Sequence, residues 1–143
     1  MTRPTPNQLA AAQAGHGMPV IGAHTVGASD GGPGLPGTGW STEHGDLRIP
    51  HFIGLHALQV LPLIALVLRR RLSTEARVRL TITAAGSYFA LFALLLLQAL
   101  RGQSILDPDP LTLTAFAAWA LVTSLCAWRS MDWVASPAAR EIV

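Results

Sequence analysis

The sequence predicts an all-α membrane protein: three transmembrane helices preceded by a Gly/Pro-rich extramembrane segment. Three observations lead there. Only 13% of the 143 residues are charged and 50% are hydrophobic, with a mean hydropathy of +0.40. A soluble domain carries about 25% charged residues. Three long runs, 51–68, 80–100 and 111–128, contain no Asp, Glu, Lys or Arg. Finally, the second run is apolar nearly all round, whereas a helix of a soluble bundle alternates polar and apolar faces.

Residues 1–50 form the first segment. They hold 10 of the 13 glycines and six of the 10 prolines. The stretch "GASDGGPGLPGTGW" (27–40) is dense in turn formers, which rules out a regular helix or a central strand and leaves either a disordered tail or a compact loop. "PNQLAAAQAG" (6–15) predicts a short helix ended by Gly15. The N-terminus lacks the continuous apolar core of a signal peptide, being broken by Gln13, His16, Gly17 and Pro19.

The three runs at 51–128 come next. A bilayer core of about 30 Å takes roughly 20 helical residues, which the second run supplies and the other two approach. Pro62 should kink the first helix. Ser73 or Thr74 can cap the second, and Asp109 followed by Pro110 can open the third. Trp40, Trp128 and Trp133 fall near span ends, where amphipathic rings favour the headgroup region, while Trp119 is mid-span and belongs to packing. Gly86, Ala90 and Ala93 on the second span, and Ala117, Ala120, Ser124 and Ala127 on the third, are two stripes of small residues suited to close helix contact. Tyr88 and Thr83 can hydrogen-bond between helices. The lone cysteine, Cys126, permits no intrachain disulfide and reads as a small buried hydrophobe.

Charge orients the chain. All 10 basic residues are Arg, and Arg69, Arg70, Arg71, Arg77 and Arg79 cluster between the first two runs. By the positive-inside rule this loop is cytoplasmic, so residues 1–50 lie outside and the tail, 129–143, inside, in a bacterial cytoplasmic (inner) membrane. A net charge of +2 offers no footprint for nucleic acid.

The polar groups gather at one end. Asp46, Arg48, His51, His56 and Gln59 lie at the start of the first span. At ~1.5 Å and ~100° per residue, His56 is about 7 Å and Gln59 about 12 Å deeper than His51, all within an arc of about 140°. The second span returns Gln98 and Arg101 to the same level. Polar groups at membrane depth are costly and point to function. Three readings follow. His56, Gln59 and Gln98 hydrogen-bond one another and receive the glycine-rich segment, as in a structural or binding component, with Asp46 and Arg48 as an interfacial pair. Alternatively, His51 and His56 hold a metal ion or haem in a redox protein, although a five-residue spacing points the two rings about 140° apart. The third reading is a small-molecule or ion path, and a further alternative is a small pore-forming, holin-like protein. Catalysis has weak support: there is no Walker loop, no CxxC and no ordered Ser-His-Asp set, and "GPGLPGTG" lacks a phosphate-loop lysine. Three helices make a thin bundle, so partners are expected besides lipid: copies of the chain or other membrane helices.

The motifs AHTVG, DGGPGLP, GWS, GDLR and HFIGLHALQ (23–59) with QALRGQS (98–104) resemble a group of uncharacterised bacterial multi-pass integral membrane proteins, with Ala23 where the group has glycine. The resemblance covers residues 23–109 and implies no particular substrate. Members of that group are longer, with further spans upstream. It therefore implies that this chain is a C-terminal portion or a short version, whose missing helices would carry residues 1–50 outward.

Overall fold

A computed structural model describes residues 6–15, 23–69 and 72–135. The expectations for the 16–19 stretch, Arg70, Arg71, the Trp133 side chain and residues 136–143 of the tail lie outside the described residues. In chain order the elements are α1 (Pro6–Gln13), β1 (Thr25–Val26), β2 (Gly45–Asp46), α2 (Arg48–Arg69), α3 (Thr74–Leu100) and α4 (Pro110–Ala135). Mostly helical, the protein has three helices long and apolar enough to cross a membrane. Each is longer than its charge-free run, because arginines and caps at the ends continue the helical hydrogen bonding.

The chain divides into two compact units: residues 1–49 with 96–108, and residues 50–95 with 109–143.

The first unit is built around turns. α1 ends as its composition demands: Gly15 takes φ +72° and its N–H reaches the Ala12 carbonyl. The 27–40 stretch is a compact loop with its own hydrogen bonds. Leu35 N–H donates to the Trp40 carbonyl at 2.8 Å, Gly39 N–H to the Leu35 carbonyl at 2.8 Å, and Thr42 N–H to the Pro33 carbonyl at 3.1 Å. β1 and β2 then pair antiparallel, Thr25 with Asp46 and Val26 with Gly45. Gly45 is indispensable here, since a Cβ on it would strike the Ala99 carbonyl at the end of α3. Gly102, at φ +73°, turns the chain out of α3 against the Val26 carbonyl.

The second unit holds most of α2, α3 and α4. Both expected caps form: Ser73 Oγ accepts from Ala76 N–H at 3.4 Å, and Asp109 Oδ1 accepts from Thr112 N–H at 2.7 Å. Tyr88 donates its hydroxyl to the Ile53 carbonyl of α2 at 2.8 Å. α3 and α4 meet along a hydroxyl seam. Ser87 and Thr123 are 2.9 Å apart, Thr83 and Ser130 3.4 Å, and the Trp119 indole donates to the Ser87 carbonyl at 3.0 Å.

The two small-residue stripes are packed only in part: Ala90, Ala93 and Ala127 are half-buried. A Cβ on Gly86 would meet nothing within 4 Å, and Ala117, Ala120 and Ser124 are exposed. Hydroxyl pairing and the indole bond set the rotation of the two helices instead; in lipid a polar side chain gains more from a partner than a methyl gains from a neighbour. Cys126 is likewise exposed rather than buried.

Candidate functional site

The densest polar arrangement lies in the first unit and is organised by Asp46. Its place on β2, opposite Thr25, turns the carboxylate inward, where the side chain has no solvent exposure. An isolated buried carboxylate would be prohibitive, and four donor groups answer it. Oδ1 accepts from Arg48 N–H at 2.9 Å and Arg48 Nε at 3.0 Å. Oδ2 accepts from Ser41 N–H at 2.9 Å and Arg48 Nη2 at 2.6 Å. The guanidinium thus binds in a fork, the strongest geometry for such a pair. Burial by itself would push the Asp46 carboxyl up; the Arg48 guanidinium and the N–H groups of Ser41 and Arg48 outweigh it and hold the carboxyl below the usual aspartate range.

A second carboxylate repeats the scheme. Asp30 Oδ1 accepts from Thr25 N–H at 2.8 Å and His24 N–H at 3.1 Å, and lies 3.1 Å from His24 Nδ1. Here too burial pushes the carboxyl up, while the Thr25 side chain, the Thr25 and His24 N–H groups and the neighbouring imidazole bring it down. His24 Nδ1 is also 3.9 Å from Asp46 Oδ1, so one imidazole stands between both acids.

Around these pairs lies a cavity of about 280 Å³, lined by His24, Thr25, Ser29, Ser41, His44 and Arg48 together with Gly31, Gly32, Pro33 and Gly39. Its acids are already occupied by the protein's own donors. With both acids engaged, the other polar side chains lining the cavity include Ser29, Ser41, His44 and Arg48. Such a wall suits a small polar or oxyanionic group. The Thr25 hydroxyl lies 3.3 Å from His24 Nδ1, the same ring nitrogen that faces Asp30.

The residues predicted from sequence distribute as follows. Asp46 and Arg48 form the expected pair. Gln98, 4% exposed, donates through Nε2 to the Ser104 carbonyl at 2.8 Å and closes the turn after α3. Arg101 is exposed in that turn. On α2, His51 and Gln59 are exposed. The His56 ring lies on Phe52, centroids 3.9 Å apart, with Nδ1 2.8 Å from the Phe52 carbonyl. A carbonyl only accepts, so Nδ1 carries the proton. His56 and Gln98 are each satisfied by a main-chain carbonyl of their own segment. The described residues contain no group of three or more His, Cys, Asp or Glu placed to hold a metal ion.

Sequence reasoning missed His24, Asp30, Ser41 and His44. Only Asp30 carried a signal: an Asp before two glycines is a common side-chain-to-backbone turn former. The other three are joined by a hairpin whose strands are two residues long, too short for periodicity to register.

No protein-family model, curated protein or solved structure matches the chain.

Proposed function

We propose that this is an integral membrane protein of the bacterial cytoplasmic membrane, serving as a structural or binding component rather than a stand-alone enzyme. The carrying observation is the apolar girth of the helices: Leu58 is 80% exposed, Phe89 70%, Ile82 66% and Leu121 62%. Soluble proteins rarely present such continuous apolar surface. In lipid it is the natural covering.

The component role is supported by the self-sufficiency of the first unit. Asp46 and Arg48 neutralise one another, and Asp30 is engaged by His24 and Thr25, so the polar chemistry goes first into holding the loop. The cavity beside Arg48 is where a small polar ligand would bind. The exposed small residues of α4, Ala117, Ala120 and Ser124, support packing against copies of the chain or other membrane helices.

The orientation we propose places the glycine-rich segment outside and the Arg-rich 69–79 loop inside. In a Cys126→Ala background, Ser29→Cys should react with an impermeant maleimide on intact cells, and Ser73→Cys only after permeabilisation. The reverse pattern overturns the orientation.

A further inference from the structure

Between α2 and α3 the structure leaves a groove of about 690 Å³ with a mainly apolar wall and two arginines, Arg69 and Arg77. Leu66, Val78 and Ile82 line it and are 53%, 50% and 66% exposed. Pro62 lies along the same wall.

Its charge is unusual. Arg69 is the last residue of α2, where a cation suits the helix dipole. Arg77 lies in the first turn of α3, where a cation opposes it. Arg79, two residues on, is 3.2 Å from Glu75, but neither Arg69 nor Arg77 has a carboxylate partner among the described residues. Two cations with no carboxylate partner among the described residues, beside an apolar groove at the connected ends of two membrane-length helices, are complementary to a molecule with an anionic head and a hydrocarbon tail.

We propose that this groove binds one anionic phospholipid, its phosphate between Arg69 and Arg77 and an acyl chain along Leu66, Val78 and Ile82. The proposal rests on the membrane reading. The phosphate supplies the missing counter-charge and relieves the unfavourable end of α3. The tail lies along the apolar side chains of Leu66, Val78 and Ile82, which line the groove beside the two arginines. Basic pockets between membrane helices commonly recognise such headgroups.

The test is native mass spectrometry of the full chain in detergent, titrated separately with phosphatidylglycerol, with phosphatidylcholine of the same chains, and with inorganic phosphate. The expected result is one retained phosphatidylglycerol, favoured over phosphatidylcholine by on the order of 10- to 30-fold, as two interfacial arginines imply, with inorganic phosphate not retained. The double variant Arg69→Gln/Arg77→Gln should lose most of that preference. Arg101→Gln, with half that charge change in the α3–α4 connection, should keep it. Ala65→Phe, which fills the groove and leaves both arginines, should weaken retention of either lipid. Circular dichroism of each variant identifies any that fails to fold, and the lipid comparison on the unaltered chain stands independently. Equal retention of both lipids, retention of phosphate alone, or a preference surviving in the double variant overturns the proposal. A protein that stays in the bilayer yet shows no lipid preference defeats this inference alone; one that leaves the bilayer defeats the membrane reading.

Discussion

Asp46 and Arg48 form a forked ion pair, closest approach 2.6 Å, in which the Asp46 side chain is wholly withdrawn from solvent and the Arg48 side chain is 37% exposed. The two residues are neighbours on opposite sides of Leu47, one ending β2 and the other starting α2. The same contact therefore closes the loop and caps the first membrane-length helix.

Breaking that pair should cost the first unit its order. Asp46→Ala removes the acceptor for Ser41 N–H and Arg48 N–H and leaves the guanidinium unpaired. Loss of one partner of a buried pair costs about 3–5 kcal/mol; because Arg48 is partly solvated, about 2–3 kcal/mol is expected here. Thermal unfolding in detergent measures it. A change below about 0.5 kcal/mol would show the pair to be incidental.

Acid should weaken the same unit. Both Asp30 and Asp46 have folded-state values below the ordinary aspartate value of 3.8. A depressed carboxyl stabilises the folded state fully above its unfolded value and loses that contribution as pH falls through the folded one. Stability should hold from neutrality to about pH 5, then fall below about pH 4. In Asp30→Asn/Asp46→Asn the acid-dependent part of the loss should largely vanish, which a melting curve at each pH reports.

Two glycine substitutions should separate packed from open positions. Gly45→Ala drives a methyl into the Ala99 carbonyl and should cost about 2–3 kcal/mol, as overpacking does. Gly86→Ala meets nothing and sits inside α3, so it should be neutral or stabilise by up to about 1 kcal/mol through helix propensity. Were Gly86→Ala the more damaging, the hydroxyl seam would not be the α3–α4 contact.

The seam itself should show coupling. Ser87 lies within 2.9 Å of Thr123 and 3.1 Å of Trp119 Nε1. Interhelical hydrogen bonds in membranes average about 0.6 kcal/mol. Ser87→Ala should therefore cost about 1 kcal/mol, and Ser87→Ala/Trp119→Phe less than the sum of the single changes, because they share a contact. Additivity would argue against the shared hydroxyl.

Much of the helical part was legible because it depends on local rules. Charge-free runs of near-bilayer length marked the helices, and Ser73, Asp109 with Pro110, and Gly15 marked ends through capping chemistry that acts within four residues. Tyr88 and Thr83 were legible as interhelical partners because a hydroxyl at that depth has few alternatives. The helix rotation was not: small-residue spacing favoured Gly86 and Ala120, whereas Ser87, Trp119 and Thr123 decide it through bonds between segments 32 and 36 residues apart. The candidate site was half legible. Asp46 and Arg48 stand two apart and announce a pair. His24, Asp30, Ser41 and His44 are gathered by turns whose closure depends on which backbone amides Asp30 and Asp46 capture, and periodicity carries no record of that.

The central claim is that lipid surrounds α2, α3 and α4. Alkaline carbonate washing of membranes from expressing cells tests it most directly. The protein should remain entirely in the pellet and enter solution only with detergent. Recovery in the carbonate supernatant, followed by a folded monomer in detergent-free buffer, would contradict the account.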